Sequence, residues 1–241
     1  MVLVFDIGTT TVKAAVFSHD GDLVEKASQP ISLKSSGNPN MHEADPKEWI
    51  HAIGELSMRF SAGMNREIQA IVVSGNGPTL ILTDADGTVI YPAMTWMDRR
   101  GIEESRIVNE KCGIFVDPSF FLPKALWIKR NEPEIYDRTE FFFTCPEYAA
   151  FYLTGEAVTV FPGEGLENFM WTDEIVRSLD LDPRKFPPFV DFGHPVGAVN
   201  STAARELGVR KGVPVFAGGP DFIMSILGTA AVVPGRACDR A

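Results

Sequence analysis

The sequence of 241 residues contains few cysteines and no long apolar run. Its three cysteines, Cys112, Cys145 and Cys238, form no CxxC pair and are too few for a fold held by disulfides, which fits a reducing compartment. No apolar run reaches the roughly 18 residues of a transmembrane helix, and Asp6 comes too early for the core of a signal peptide. We therefore expect a cytoplasmic protein with no membrane partner.

Basic residues are also fewer than acidic residues. The 22 lysines and arginines stand against 32 acidic residues, which gives a net charge of −10. Surfaces that bind nucleic acids are usually basic, because they neutralise phosphates, so we expect no nucleic-acid partner. A small anion can still be held by backbone amides. The 45% hydrophobic content supports a large core, and no linker divides the chain, so we predict one domain over residues 1–241.

The order of the predicted elements is typical of an α/β fold. Three β-rich segments near the N-terminus, with an Asp-Gly turn signal, predict an antiparallel meander over residues 2–28. The apolar segment 68–74 predicts a strand with parallel neighbours, and residues 79–91 predict a hairpin. Helices are predicted from Asp45, over 102–112, over 123–130, from Thr144 to Gly155, and over 200–207. Asp45 with Glu48, and Thr144 with Glu147, would form capping boxes.

The first candidate site lies in residues 6–13, which read DIGTTTVK. A strand ends in Asp6, a turn follows, and the chain returns as a strand. The turn and the returning strand carry Gly8, Thr9, Thr10, Thr11 and Lys13. Backbone amides and hydroxyls in such a turn make a concave anion site, and a single carboxylate can hold hydrated Mg²⁺. An ordinary hairpin with an Asp turn residue fits the pattern equally well.

The second candidate site is the sequence Gly-Gly-Pro-Asp at residues 218–221, which follows an apolar strand and precedes a helix. Open α/β sheets bind ligands at the ends of their strands, so Asp221 is placed to accept a proton from a substrate hydroxyl. The alternative is that Asp221 is only the N-cap of the helix, and the pattern favours that alternative for an isolated Asp after Pro.

The third candidate site is the sequence WMDRR at residues 96–100. Trp96 and Asp98 beside arginines could bind the hydroxyls of a polyol, and Asn76 and Gly77 follow another strand on the same side. The alternative for this segment is an exposed ion pair beside a core tryptophan. The sequence HEAD at residues 42–45 lacks the second histidine of a zinc motif, so no metal is expected there.

Taken together, these segments resemble the FGGY family of carbohydrate kinases, in the superfamily of actin and hexokinase. The matching segments are residues 6–13, 42–49, 96–99, 123–134, 148–155 and 218–221. The resemblance implies an α/β, ribonuclease H-like domain whose mixed five-stranded sheet has helices on both faces. It also implies ATP and Mg²⁺ as cofactors, a sugar or polyol as substrate, Asp221 as the catalytic base and Asp6 at the metal. Residues 8–11 and Lys13 would contact the phosphates, and Asn76, Gly77, Trp96 and Asp98 the substrate.

The resemblance further implies a second domain of similar size that completes the ATP cleft. We therefore interpret the chain as the N-terminal domain of a longer kinase, inactive by itself. Xylulose kinases carry Gln-Met-His-Gly where this chain has residues 76–79, and Phe222 replaces the Asn or Asp that often follows the catalytic Asp. Both departures favour a substrate other than xylulose. A non-catalytic nucleotide switch or a sugar sensor of the same superfamily is the alternative, and a homodimer stays open.

Overall fold

A computed structural model describes residues 1–35, 37–60, 62–161, 163 and 170–232. The strands are β1 (Val2–Ile7), β2 (Thr11–Phe17), β3 (Leu23–Pro30), β4 (Lys34–Ser35), β5 (His42–Ala44), β6 (Ala70–Gly75), β7 (Leu80–Thr83), β8 (Val89–Met94), β9 (Phe141–Phe143), β10 (Thr159–Val160), β11 (Phe189–Val190), β12 (Pro195–Ala198) and β13 (Pro214–Pro220). The helices are α1 (Pro46–Arg59), α2 (Ala62–Arg66), α3 (Ile102–Cys112), α4 (Phe121–Asn131), α5 (Pro133–Arg138), α6 (Cys145–Thr154), α7 (Asp173–Ser178), α8 (Ser201–Leu207) and α9 (Asp221–Gly228). No described helix has both the length and the apolar content of a membrane span.

The main sheet is mixed and has the strand order β12-β13-β6-β1-β2-β3. Strands β1, β2 and β3 form the predicted antiparallel meander. Strand β6 runs parallel to β1 on one side and to β13 on the other, also as predicted. The predicted mixed α/β sheet is therefore confirmed, but the described sheet has six strands instead of five, because β12 pairs antiparallel with the outer edge of β13.

Helix α1 packs against the meander through an apolar stripe. Trp49, Ile53 and Leu56 are at most 2% exposed. They join a core that includes the alternate residues Leu3, Phe5 and Ile7 of β1, together with side chains of α6 and α8. The period of two in β1 and the helical period in α1 bring these residues together and bury them.

A second hydrophobic core forms around the smaller five-stranded sheet, which has the order β4-β5-β8-β7-β9. The predicted hairpin at residues 79–91 becomes β7 and β8 at the centre of this sheet. Helices α3, α4, α5 and α7 supply the other side chains of this core, among them Leu122, Ile128 and Val176. The sheet places the C-terminal end of β8 beside the N-terminal end of α4.

The helix ends match the sequence signals except at the predicted capping box of α6. Asn200 caps α8, and Gly113, Gly155 and Gly208 end their helices in the left-handed conformation. The capping box at Thr144 is wrong, because its hydroxyl makes no cap hydrogen bond and Glu147 accepts one from the Val160 amide instead. At α1, Asp45 is the N-cap as predicted, since its carboxylate accepts a hydrogen bond from the Lys47 amide at 3.0 Å, and Glu48 accepts one from the Ser32 amide. The predicted loop at residues 162–168 lies outside the described residues except for position 163, and so do Cys238 and the C-terminal segment.

Glu147 is the basis of a prediction for stability against pH. One of its oxygens has no hydrogen-bond partner among the described residues, and burial raises its pKa to about 7 from an ordinary 4.5. The folded state then binds a proton that the unfolded state has lost, so this stabilisation is full below pH 4.5 and disappears as the pH rises through 7. The difference amounts to about 3 kcal/mol.

Urea unfolding of this chain between pH 5 and pH 8 measures the effect. Relative to wild type, Glu147→Gln should show a smaller loss of stability as the pH rises, because it has no carboxyl to titrate. Glu134→Gln, at an exposed position on α5, is the control and should keep the wild-type slope. Parallel pH curves for wild type and Glu147→Gln would contradict the assignment.

Candidate functional site

The candidate residues meet at one edge of the main sheet. Because β1, β6 and β13 are parallel, their carboxyl ends point the same way, and each is followed by a predicted site segment. Lys13, Asp6, Ser74 and Gly219 are successive partners across β2, β1, β6 and β13. Sequence segments 6–13, 76–79 and 218–221 are therefore neighbours in space.

The turn after β1 is a tight one that requires glycine. The Gly8 amide donates to the Thr11 carbonyl at 3.0 Å, and a Cβ on Gly8 would lie only 2.8 Å from that oxygen. The Lys13 ammonium lies 3.1 Å from an Asp6 carboxylate oxygen, and both side chains keep considerable solvent exposure. Thr10 is exposed and Thr9 partly exposed at the turn. The geometry thus leaves a carboxylate, hydroxyls and a lysine open at the sheet edge.

The glycine pair of β13 is needed by backbone packing. A Cβ on Gly218 would lie 2.3 Å from the Val73 carbonyl oxygen, and one on Gly219 would lie 2.6 Å from the ring of Phe192. Gly219 also has φ +101°, which other residues rarely adopt. The register with β6 shifts at this point, and the Ser74 hydroxyl donates to the Gly219 carbonyl at 3.0 Å. The resulting bulge sets the direction in which residue 221 leaves the sheet.

Asp221 is the first residue of α9, and Pro220 occupies the N-cap position. The alternative that Asp221 is the N-cap is therefore wrong. Burial raises the pKa of the Cys145 thiol well above its usual value, and the charges of Glu147, Asp221 and Asp6 raise it further. Asp6 and Asp221 are consequently both within electrostatic range of the same buried thiol. The two residues predicted for metal binding and for base catalysis are brought together by the fold.

Trp96 lies across the same edge. Its indole N–H donates to the Thr9 hydroxyl at 2.8 Å, and the side chain is 45% exposed. Gly77 lies beside Pro220, because a Cβ built on Gly77 would be 4.0 Å from that of Pro220. The indole therefore links residues 96–100 to the turn after β1. Gly77 brings residues 76–79 next to residues 218–221.

Two predicted substrate residues are engaged within the protein. The Asn76 amide donates to the Ile7 carbonyl at 3.0 Å and accepts from the Thr79 hydroxyl. Asp98 is fully buried and accepts hydrogen bonds from the His42 amide at 2.8 Å and from Arg100 at 2.6 Å. The alternative of an exposed ion pair beside a core tryptophan is wrong on both counts, since the Asp98–Arg100 pair is buried and Trp96 is exposed.

Sequence reasoning missed Lys124 and the central position of Cys145. Lys124 is fully buried in α4 beneath residues 78 and 94–95, and burial lowers its pKa to about 7. The signal available was a lysine between the apolar Leu122 and Leu126 on a helix that packs into a core. Among the described residues no three His, Cys, Asp or Glu side chains cluster as a metal site, so Asp6 would be a single protein ligand to a hydrated ion.

Comparison with known proteins identifies the family. A family model described as the N-terminal domain of the FGGY family of carbohydrate kinases matches residues 1–228. The chain belongs to this family. A xylulose kinase from Staphylococcus epidermidis is 29% identical over 96% of this chain. The chain spans about half the length of the curated relatives it matches, with 49% in that case.

Solved structures of sugar kinases have the same fold. A xylulose kinase from Rhodospirillum rubrum superposes with a TM-score of 0.84 at 27% identity, covering 97% of this chain and 52% of that one. A gluconate kinase from Lactobacillus acidophilus also gives a TM-score of 0.84, at 22% identity, covering 95% of this chain and 50% of that one. The predicted fold class, that of actin and hexokinase, is confirmed.

The bulge at Gly218 supplies a prediction specific to this edge. Gly218→Ala should destabilise the chain by about 1–3 kcal/mol, because the new methyl group meets the Val73 carbonyl and overpacks the β6–β13 contact. Gly228→Ala is the matched control, since a Cβ there meets nothing within 4 Å, and its stability should be unchanged or slightly higher. Urea denaturation compares the two variants, and equal midpoints would contradict the proposed contact.

Proposed function

We propose that the protein containing this chain transfers the terminal phosphoryl group of ATP to a hydroxyl of a small sugar or polyol. The observation that carries this proposal is the convergence of Asp6, Asp221 and Trp96 at one sheet edge in a member of a carbohydrate kinase family. Phosphoryl transfer depends mainly on positioning and on stabilisation of charge, and this edge offers groups for both.

Asp221 is proposed as the general base. It begins α9 beside the carboxyl end of β13, and the bulge at Gly218 directs it toward the edge that also holds Asp6. In this role its carboxylate accepts the proton of the acceptor hydroxyl as that oxygen attacks the phosphorus atom.

The turn at residues 8–11 fits a nucleotide phosphate with a magnesium ion. Its glycine is required by the tight turn, its threonines supply hydroxyls, and Asp6 is a half-exposed carboxylate of the kind that hydrated magnesium takes. Bound Mg-ATP would supply the phosphoryl group and a cation that offsets its charge. Lys13, now paired with Asp6, would add a positive charge next to the phosphates.

The acceptor is proposed to lie against Trp96 and Gly77. The half-exposed indole offers an apolar face to a sugar ring or carbon chain. Asn76 and Asp98 act in this proposal as parts of the framework that hold these two residues. The departure at residues 76–79 from the xylulose kinase pattern favours an acceptor other than xylulose. The family match gives no support to the alternative of a nucleotide switch or a sugar sensor.

Asp221→Asn in the complete gene product tests the catalytic assignment. The acceptor is first chosen as the best of D-xylulose, D-ribulose, D-fructose, D-gluconate, glycerol and erythritol. The variant should lose roughly 10²–10⁴ in kcat, because Asn keeps the shape and loses the proton acceptor. The KM for the acceptor should change far less, since the amide still hydrogen-bonds a hydroxyl. Asp137→Asn, at an exposed position on α5, serves as the control.

Normal turnover by Asp221→Asn would refute the base assignment. No phosphorylation of any member of the panel by the wild-type product would instead argue against the proposed function. D-xylulose as the best acceptor by a wide margin would contradict only the inference about specificity.

The 241-residue chain by itself should not phosphorylate any of these acceptors. It spans about half of its relatives, and we propose that the other half completes the nucleotide cleft. Calorimetric titration of this chain with Mg-ATP should therefore show at most weak binding. Sub-micromolar affinity would mean that the cleft is already complete, and the interpretation as half of a kinase would be wrong.

A further inference from the structure

Lys124 is a buried lysine in an unusual environment. Its side chain is fully buried in α4, and its ammonium donates to three main-chain carbonyls: Pro78 at 2.8 Å, Thr95 at 2.7 Å and Met94 at 3.2 Å. A buried charge is costly unless hydrogen bonds compensate it. Here all three N–H groups have a main-chain acceptor, so the ammonium is committed to holding backbone.

Two of the three carbonyls, those of Pro78 and Thr95, belong to chain segments that lie beyond the end of the β7–β8 ladder. The antiparallel pairing of β7 with β8 has its last pair at Leu80 and Met94. Pro78 and Thr95 lie just beyond that pair, where no ladder hydrogen bond holds the two strands. Lys124 therefore continues the connection past the end of the ladder.

Each of these segments also contacts the turn after β1 through a side chain. Asn76 donates to the Ile7 carbonyl at 3.0 Å, and Trp96 donates to the Thr9 hydroxyl at 2.8 Å. The turn after β1, residues 76–79 and residues 94–96 are therefore linked pairwise. The Lys124 ammonium supplies the link between the last two. Removing it would break the direct link between residues 78 and 95, while residues 76 and 95 would keep their own hydrogen bonds to Ile7 and His42.

We propose that Lys124 is a positioning residue that sets the distance between Gly77 and Trp96, and so the affinity for the acceptor. This inference rests on the proposed function, which places the acceptor against those two residues. A displacement of about 1 Å in positioning groups can change rates by about 10²-fold. Loss of the Lys124 hydrogen bonds should therefore have a measurable effect on the acceptor. Binding of the nucleotide at residues 8–11 should depend on Lys124 far less.

The test compares Lys124→Met, which keeps the length of the stem and removes the donors, with Lys129→Met. Lys129 lies five residues along the same helix and donates to the main-chain carbonyl and the carboxylate of Asp180, away from the site. In the complete gene product, Lys124→Met should raise the KM for the best acceptor of the panel at least tenfold. The KM for ATP should stay within twofold, and Lys129→Met should leave both values near wild type.

A second measurement needs no substrate and uses this chain. The amides of Asn76, Thr95 and Asp98 are hydrogen-bonded to the carbonyls of Ile7, His42 and Thr95. Lys124→Met should accelerate hydrogen exchange at these three amides, and the acceleration should be at least tenfold larger than at the Phe5 amide. Phe5 lies in β1 and reports the stability of the main sheet. Lys129→Met should produce no such local difference.

The outcomes separate the two proposals. Exchange that accelerates equally at all four amides, or an acceptor KM within twofold of wild type, would make Lys124 a purely structural residue and overturn this inference. If Lys124→Met does not fold, Lys124→Gln replaces it, because its amide retains two donors, and it should raise the acceptor KM severalfold. Failure of both variants to fold would equally overturn the inference. Absence of activity in the wild-type product would overturn the proposed function itself.

Discussion

The parallel alignment of β1, β6 and β13 is the constraint on which the candidate site depends. It places three strand ends at one edge, so that residues more than 200 positions apart in sequence, such as Asp6 and Asp221, both act electrostatically on one buried thiol. The alignment itself depends on the absence of a side chain at Gly218, because the β13 backbone there approaches the Val73 carbonyl more closely than any Cβ allows. The requirement for glycine at position 218 therefore affects both the pairing of β6 with β13 and the geometry of the site.

Buried polar groups form a second level of organisation behind this edge. Asp98 forms an ion pair with Arg100 and accepts a hydrogen bond from the His42 amide, and the Lys124 amine donates to three carbonyls. Burying such groups is costly unless each hydrogen bond is satisfied, so their partners are held in defined positions. Their role follows from that cost, because they fix the backbone around Trp96 and Gly77 while the exposed groups remain available to ligands.

Local sequence signals predicted the features that depend on neighbouring residues. The meander, the stripe of α1, the glycine helix ends and the tight turn at Gly8 all follow from residue periodicity or from the conformational freedom of glycine. The capping box at Thr144 failed because a tertiary partner, the Val160 amide, competed for the Glu147 carboxylate. The extra strand β12 and the second core around β7 and β8 were not predicted, because both depend on pairing between distant segments.

The sequence by itself determined the family, the class of fold and the order of the candidate segments, because these are carried by short motifs and by residue periodicity. Only the tertiary structure decided which members of those motifs face the site. Asn76 and Asp98 hydrogen-bond within the protein, Trp96 is exposed, and Pro220 instead of Asp221 occupies the N-cap position of α9. Burial and hydrogen-bond partners are set by residues far away in the chain, and no local pattern encodes them.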